Sequence, residues 1–341
     1  MRLFAYSLAV CVTLLLSTYG KDCKDSPNAR TEPPPGAVVV DRTGKYEGSV
    51  KTIKLGVDQL KASSSPQSLF IFPGDYNEQI FIRDHVKSLS IQGYTCDTTD
   101  YKHNQVTITH SKAQKDLASD VEDNRNFLTS TLGIESASAK VYNLNVANTA
   151  GQMKKDGQAV AISSYGKSQG FYACSIRGYQ DTLFAHKGRQ LYVKSHISGA
   201  VDFVFGQNAV AWFESCTIES IGKGWITANG NTKPENENGY IFNNCQVRGT
   251  GPTFFGRPWN PYARVVFQKC HLGSHIDPKG WSPWRVSLDK VTFAEYGNTG
   301  PGSKTDQRVP FSTQLDKAKD IKEVLGDGYM DEWFVDPLFQ K

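Results

Sequence analysis

Two stretches, Cys174-Ser-Ile-Arg-Gly-Tyr-Gln-Asp181 and Ser195-His-Ile-Ser-Gly-Ala-Val-Asp202, decide the fold of this chain because they are copies of one pattern set 21 residues apart. A further step of 21 residues leads to Cys216, and the same small-x-aliphatic signature recurs at Cys245 and Cys270. Repeats of about 20 to 30 residues that carry short strands are typical of a solenoid, in which each repeat covers the apolar face of the next.

The segments around these repeats have the period of strands rather than helices. Short β-prone runs such as 68–72 and 140–146 follow one another, and no long helical periodicity occurs between about 65 and 310. One strand per repeat without intervening helices predicts an all-β chain folded as a parallel β-helix. Helix-like stretches at 50–60 and 315–325 are predicted to act as short capping helices, because repeat proteins must cover exposed core.

The cysteines are expected to serve mainly as packing residues. In the pattern x-Cys-x-Ile, alternation along a strand puts the four repeat cysteines on the same face as the aliphatic side chains, which favours an interior ladder of small buried groups. Rungs lie about 4.8 Å apart, so a Cys245–Cys270 disulfide between neighbours stays open as an alternative. Cys23–Cys96 is a second candidate pair, on weaker grounds.

The first 20 residues are predicted to be a secretory signal peptide. Arg2 gives the positive start, residues 3–16 are an apolar run, and residues 17–20 are small enough for cleavage. The apolar run is shorter than the roughly 20 residues needed to span a bilayer. We therefore expect a secreted, extracellular chain of residues 21–341 that is not attached to a membrane after cleavage and is long enough for two ordinary domains or one elongated repetitive one.

The charge balance indicates which partners to expect. The whole chain carries a formal net charge of +4, a mild positive balance that suits an acidic polymer. No Lys/Arg cluster is dense enough to predict nucleic-acid binding. The histidines are scattered without metal-ligand spacing, so we expect neither a metal nor a cofactor: His85, His103, His110, His186, His196, His271 and His275.

Asp181 and Asp202 occupy the same position in neighbouring repeats, so their carboxyl groups are expected to stack about 5 Å apart. At an effective dielectric constant near 20, two such charges repel by about 3 kcal/mol, or about two pKa units. One carboxyl group would then stay protonated while the other ionises, which yields an acid and a nucleophile. A pair of solvated turn aspartates is the alternative, and spacing alone leaves both open.

Several neighbours favour the chemical interpretation. Gln180 precedes Asp181, and Gln158 lies about one rung earlier; neutral amide donors beside a carboxylate pair suit the stabilisation of an oxyanion. Arg257 is able to orient one carboxylate through two hydrogen bonds, and Trp259 to stack on a sugar ring. No Gly-x-Ser-x-Gly elbow is expected in this chain, nor a strand–elbow–helix pattern to carry one, so serine-esterase chemistry is not expected.

The sequence closely resembles the pectin methylesterase (pectinesterase) family. Five motifs of that family occur in order: Gly74-Asp-Tyr-Asn-Glu78, Gln158-Ala-Val-Ala161, Gln180-Asp-Thr-Leu183, Asp202-Phe-Val-Phe-Gly206 and Gly256-Arg-Pro-Trp259. The compact form is similar to the microbial, fungal-like branch. Val204, Ile162 and Phe255 depart from the commoner residues without removing a reactive group. The resemblance implies a right-handed single-stranded parallel β-helix and one catalytic domain over residues 21–341.

The resemblance also implies an activity, the hydrolysis of methyl esters in pectin to pectate and methanol. Asp202 would be the nucleophile and Asp181 the proton donor and then the base, while Arg257 orients Asp202 and both glutamines stabilise the oxyanion. The polysaccharide, methyl-esterified polygalacturonate, would bind a monomer through aromatic side chains: Phe205, Trp259, Phe184 and Trp284. Two alternatives remain, a pectin-cleaving β-helix lyase or polygalacturonase and a noncatalytic carbohydrate-binding β-helix.

Overall fold

A computed structural model describes Cys23 and residues 26–235 and 237–339. The predicted signal segment 1–20 lies outside the described residues. Strands dominate the described part of the chain, and in chain order they are β1 (Val38–Val40), β2 (Gln67–Ile71), β3 (Gly74–Asn77), β4 (Ile80–Ile82), β5 (Ser88–Gly93), β6 (Val106–His110), β7 (Leu132–Ile134), β8 (Ser138–Tyr142), β9 (Asn145–Asn148), β10 (Ile162–Ser164), β11 (Ser168–Tyr172), β12 (Ser175–Arg177), β13 (Leu183–Ala185), β14 (Lys187–Val193), β15 (His196–Gly206), β16 (Asn208–Glu214), β17 (Thr217–Asn229), β18 (Gly239–Asn243), β19 (Gln246–Gly249), β20 (Thr253–Pro258), β21 (Arg264–Gln268), β22 (His271–Leu272), β23 (Thr292–Tyr296) and β24 (Ser312–Gln314).

Helices are short in the described residues. The three α-helices are α1 (Ile53–Asp58), α2 (Arg125–Thr129) and α3 (Ile321–Leu325). Single 3-10 turns occur at Tyr101–His103, Gln114–Asp116, Pro301–Ser303, Tyr329–Asp331 and Pro337–Phe339. No helix in this part of the chain is long and apolar enough to cross a membrane.

The strands form a parallel β-helix in which each coil visits three sheets in turn. Sheet 1 contains eleven strands in the order β1-β2-β5-β8-β11-β14-β16-β18-β21-β23-β24. Sheet 2 contains β3, β6, β9, β12, β19 and β22, and sheet 3 contains β4, β7, β10, β13 and β20. The long strands β15 and β17 run through the bend between sheets 2 and 3 and join them. The predicted parallel β-helix is confirmed, but each coil carries a strand in each of three sheets where one strand per repeat was expected.

A left-handed residue marks the turn from sheet 1 to sheet 2 in successive coils. The backbone angle φ lies between 47° and 54° at each of these positions: Asn143, Ala173, Lys194, Ser215, Asn244 and Lys269. This sharp turn divides the single strand predicted over 140–146 into β8 and β9. It also aligns the residue that follows it, which is a cysteine in four coils.

The interior is filled by aligned stacks of like side chains. Five rings on sheet 1 stack face to face with centroids 4.3 to 4.8 Å apart, in the order Phe171, Tyr192, Phe213, Phe242 and Phe267. Parallel register brings equivalent positions of consecutive coils together, and each ring buries a large apolar area. A one-residue slip would turn the whole stack out to solvent, so the stack fixes the register.

The cysteine ladder is confirmed as packing. Cys174, Cys216, Cys245 and Cys270 are free and buried, and the thiols of Cys245 and Cys270 donate to carbonyl oxygens of the preceding coil at 3.4 Å. The alternative disulfide between those two cysteines is therefore wrong, because each sulfur points at a backbone carbonyl instead of its neighbour. The second candidate pair, Cys23–Cys96, does form a disulfide.

Helix α1 covers the first coil as predicted. Ile53 enters the core there, and Gly56 lies so close to sheet 1 that an added Cβ would come within 2.7 Å of Val40. Both carboxylate oxygens of Glu78 accept hydrogen bonds from the first backbone N–H groups of α1, those of Ile53 and Lys54, at 2.9 Å. The Gly74–Glu78 motif thus caps a helix and lies away from the aspartate pair.

The C-terminal segment covers a side of the coil. Leu325 of α3 packs with Trp212 and Tyr172 on the outer face of sheet 1, and the Tyr172 hydroxyl donates to the Phe334 carbonyl at 2.7 Å. Helix α3 therefore shields apolar surface as predicted, but that surface is the outside of a sheet instead of the end of the coil. The physical reason is that the apolar side chains on the outer face of sheet 1 would contact water if this segment did not cover them.

Candidate active site

The two aspartates lie side by side at the bend between sheets 2 and 3. Gln180 pairs with Val201 in parallel register, and the Asp181 N–H donates to the Val201 carbonyl at 3.0 Å, so Asp181 and Asp202 are neighbours on consecutive coils. Both residues have left-handed backbones, with φ of 61° and 50°, a conformation that aspartate tolerates better than most residues. The predicted register of the pair is confirmed.

Burial and mutual repulsion divide the pair electrostatically. Burial raises the pKa of the Asp181 carboxyl well above its usual range, and the charge of Asp202 raises it further. Burial also raises the pKa of Asp202, but the adjacent Arg257 guanidinium opposes that shift. The negative charge is therefore favoured on Asp202, and the proton on Asp181.

Arg257 holds Asp202 through a two-point fork. Its Nε donates to Oδ1 at 2.9 Å and its Nη2 to Oδ2 at 2.6 Å. The arginine comes from β20, whereas Asp202 comes from β15, so the side chain spans the intervening strand β17. Arg257 is in register with Ala228, which in turn is in register with Phe205, and the small alanine leaves room for the crossing.

Two tryptophans enclose the same guanidinium. The Arg257 Cζ lies 3.8 Å from the ring centroid of Trp225 and 3.8 Å from that of Trp284. Trp284 was predicted to bind substrate; Trp225 was not predicted at all. A 21-residue step from Asp202 leads to Lys223, but a register shift between β15 and β17 puts Trp225 opposite Val201, so the repeat gives no signal for it.

The two glutamines occupy neighbouring coils beside the aspartates. The Ala159 N–H donates to the Gln180 carbonyl at 3.1 Å, which aligns Gln158 with Gln180. The Gln158 Oε1 atom is buried without a hydrogen-bond partner among the described residues. An amide oxygen and nitrogen exchange places when the group turns over, so this position can present an N–H donor to a ligand.

A strip of aromatic rings lies beside the aspartates on sheet 3. Phe184 and Phe205 stack with centroids 4.6 Å apart, and Trp259 approaches Phe205 at 6.2 Å. Phe184 is only 6% exposed and Phe205 only 2%, so these two rings form the buried base of the strip. Tyr165 and His186, which the sequence did not single out, extend it with a 4.7 Å stack, and burial lowers the pKa of His186 to about 4.

Three side chains elsewhere are arranged like a serine triad. On the outer face of sheet 2, the Ser175 hydroxyl lies 3.1 Å from His196 Nδ1, and His196 Nε2 lies 2.8 Å from Glu219. The Tyr101 ring covers the imidazole at 5.2 Å, and the N–H groups of Ser175 and His196 are used in the ladder. An oxyanion needs free donors, so this arrangement reads as a structural network.

Gly166-Lys-Ser-Gln-Gly170 matches the Gly-x-Ser-x-Gly letters of a serine-hydrolase elbow. Ser168 begins β11, is buried, and is followed by a strand instead of a helix. The hydroxyl accepts a hydrogen bond from Arg189 at 3.4 Å on the outer face of sheet 1. The expectation that the chain has no such sequence is therefore wrong, but the strand that follows Ser168 means that this serine does not lie on a strand–elbow–helix unit.

The fold and this cluster define the class of parallel β-helix proteins that carry a buried pair of carboxyl groups on the outside of the coil. A family model described as Pectinesterase matches residues 37–329. A pectinesterase of Aspergillus niger is 40% identical over 317 residues, which cover 89% of this chain and 92% of the relative. One from Aspergillus aculeatus is 40% identical over 315 residues, which cover 88% and 92%. The chain belongs to the pectinesterase family and is an enzyme of that kind.

Solved structures agree. The crystal structure of the pectin methylesterase from Aspergillus niger matches with a TM-score of 0.81 and 34% identity, over 91% of this chain and 100% of that one. The pectin methylesterase from carrot matches with a TM-score of 0.75 and 26% identity, over 89% and 97%. These structures are right-handed parallel β-helices, so the predicted handedness is confirmed.

Proposed function

We propose that this enzyme removes methyl groups from pectin, converting methyl-esterified homogalacturonan and water to pectate and methanol, with Asp202 as the nucleophile. The observation that carries the proposal is the asymmetry of the pair: Arg257 forks onto Asp202 at 2.9 and 2.6 Å, while burial and the charge of Asp202 raise the pKa of Asp181. The pair thus supplies one ionised and one protonated carboxyl group in one place.

In the first half of the reaction, an Asp202 oxygen attacks the C6 carbonyl carbon of a methylated galacturonate. The carbonyl electrons move onto oxygen, and the amides of Gln158 and Gln180 donate hydrogen bonds to the oxyanion. The oxyanion then collapses and the bond to the methoxy group breaks. Asp181 gives its proton to the departing oxygen, so methanol leaves and an acyl-enzyme remains.

In the second half, Asp181 is ionised and takes a proton from water. The hydroxide attacks the same carbonyl carbon, and the bond to Asp202 breaks. The product leaves as the carboxylic acid and releases its proton to solvent to become the carboxylate, Asp202 is again ionised, and Asp181 keeps the proton taken from water. Trp259 and Trp284 at the rim, above the buried rings of Phe184 and Phe205, would contact the sugar rings of the polymer.

Methanol release from esterified pectin tests the proposal. Asp202→Ala and Asp181→Ala should each lower kcat/KM by at least about 10³-fold, since each removes a covalent or proton-transfer role. Near-normal rates in both variants would refute the mechanism. New reducing ends or unsaturated products without methanol would indicate a polygalacturonase or lyase, and pectin binding without any product would indicate a binding module.

We also propose that residues 1–20 direct export and that residues 21–341 act outside the cell as a monomer. The support is the sequence pattern of the leader and the short apolar run within it. N-terminal sequencing of the protein recovered from the medium should begin at residue 21, and light scattering should give a single-chain mass. An intact leader on active cell-bound protein would contradict the export proposal.

A further inference from the structure

The planar guanidinium of Arg257 is covered on both faces by indole rings that come from different parts of the chain. Trp225 lies on β17, between the strand of Asp202 and the strand of Arg257, whereas Trp284 lies in the segment between β22 and β23. Each indole centroid is 3.8 Å from the guanidinium carbon. Because indole rings cover both faces of the guanidinium, it can form hydrogen bonds only through the N–H groups around its edge. Two of these, Nε and Nη2, donate to Asp202.

The position of Trp225 is itself fixed by the strand ladder. Trp225 is in register with Val201, the residue before Asp202, and with Phe254, three residues before Arg257. The Phe254 ring lies nearly parallel to it, with centroids 6.3 Å apart. The Trp225 backbone therefore adjoins the residue before Asp202 on one side and the strand of Arg257 on the other. The orientation of the indole ring then limits where the Arg257 guanidinium can meet Asp202.

The indole N–H does not account for the presence of a tryptophan here. Trp225 Nε1 is buried and has no hydrogen-bond partner among the described residues. An unpaired buried donor costs free energy, so the favourable contribution of this side chain must come from its ring face. Contact between an arginine and an aromatic face is strongest where water is excluded, as it is between two indoles.

We infer that Trp225 is a positioning residue that holds Arg257 in the plane of Asp202 and thereby keeps the nucleophile ionised. The inference rests on the proposed role of Asp202. Without the ring, the guanidinium can rotate and exchange Asp202 for water, so the hydrogen bonds that oppose protonation of Asp202 weaken. Trp284 covers the other face of the guanidinium and is left to share that role with substrate binding.

The test compares Trp225→Leu, Trp225→Met and Trp225→Phe in methanol release across pH. The Leu and Met variants should lose about tenfold in kcat/KM. Their acid limb should also move up by about half a pH unit or more, because a less well-held arginine lets Asp202 take a proton at higher pH. Trp225→Phe keeps a ring face and should restore both values to within about threefold of the parent.

Trp333→Leu is the matched control, because Trp333 also faces a cation, Lys140 at 4.9 Å, but outside the cluster. It should leave the pH profile unchanged, and urea midpoints should show that each variant compared is folded. If Trp225→Leu does not fold, Trp225→Met, closer in volume, decides the question.

Two outcomes would overturn the inference while leaving the proposed function intact. An acid limb that stays in place in the Leu and Met variants, with Asp202→Ala inactive, would show that Arg257 needs no help from Trp225. A raised KM with unchanged kcat and an unchanged limb would mean that the ring only binds substrate. An active Asp202→Ala variant would instead refute the proposed function itself.

Discussion

Single side chains decide the chemistry of the aspartate pair. Asp181 and Asp202 have the same residue type, the same left-handed backbone and nearly the same burial, yet they differ in one contact, the fork from Arg257. The guanidinium opposes the rise in the pKa of Asp202 through hydrogen bonds and charge, whereas it opposes the rise in the pKa of Asp181 through its charge only. Two like groups therefore receive different proton affinities from their surroundings.

The pH dependence of methanol release should follow from this division. Activity should fall on the acid side as Asp202 takes up a proton, and on the alkaline side as Asp181, whose pKa is raised, finally loses its own. Arg257→Lys replaces the fork by a single point charge, so the acid limb should move to higher pH and kcat/KM should drop about 10- to 100-fold.

Arg189→Lys, on the outer face of sheet 1 beside Glu332, is the matched control and should leave the profile unchanged. If Arg257→Lys also left the acid limb in place, the fork would not be what keeps Asp202 ionised.

The Ser175–His196–Glu219 network permits a second residue-level prediction. Ser175→Ala should leave methanol release within about twofold of the parent and lower the free energy of unfolding by about 1 kcal/mol, the usual cost of one buried hydrogen bond. Kinetics and urea unfolding measure the two effects. Loss of activity in a stably folded Ser175→Ala variant would reopen serine chemistry.

Among the structural elements, the three strands β15, β17 and β20 assemble the site. Phe205, Ala228 and Arg257 occupy one register line across them, so the methyl group of Ala228 lies beside Arg257 on the strand that the arginine crosses to reach Asp202. The size of residue 228 thus controls a contact between strands that are not neighbours.

Ala228→Leu should therefore disable the enzyme more than it destabilises the fold. Overpacking costs about 1 to 3 kcal/mol, but the added carbons would also occupy the path of Arg257. We expect kcat/KM for methanol release to fall at least about 100-fold, with the urea midpoint only moderately lowered. Ala294→Leu, on the buried outer face of sheet 1, supplies the same overpacking away from the site; equal losses of activity in both variants would contradict the register argument.

The 21-residue step predicted the strand alignment of Asp181 with Asp202, because the coil that joins them has no insertion. The same step failed for Trp225, since the register shifts on β17 are a property of the bend and leave no trace in spacing. Helix α2, five residues long, was missed because a single turn carries too little periodicity to detect. The spacing of residues in the sequence therefore predicts positions along a coil. Contacts between coils that are not adjacent can be identified only from the three-dimensional structure.

For the molecule as a whole, cohesion comes from one core shared by all coils. The stacked rings run through five neighbouring coils without interruption, the buried cysteines line four coils with Ser195 in the place of one between them, and α1 closes the first coil. The Cys23–Cys96 disulfide adds a covalent tie across 73 residues at the N-terminal end.

Removing that tie should lower stability without affecting catalysis. The double variant Cys23→Ser/Cys96→Ser should lose up to about 4 kcal/mol of unfolding free energy, the value that loop-closure entropy gives for a loop of this length. Methanol release at 25 °C should be unchanged, because both cysteines lie outside the aspartate cluster. Urea unfolding and kinetics test the pair; a large loss of kcat in the folded variant would show that the N-terminal segment supports the site.

The recurring left-handed residue has a consequence for how this scaffold can vary. Successive ones are 21 residues apart between Ala173 and Lys194 but 30 apart between Asn143 and Ala173, and the extra length leaves the strand ladder intact. Part of the extra length forms segment 149–161. Within it, the Gln158 carbonyl accepts a hydrogen bond from the Gln114 N–H of segment 111–131. Insertions and deletions in these segments leave the strand pairing of the coils unchanged, so the loop that carries Gln158 can change in length without displacing the strands on which it rests.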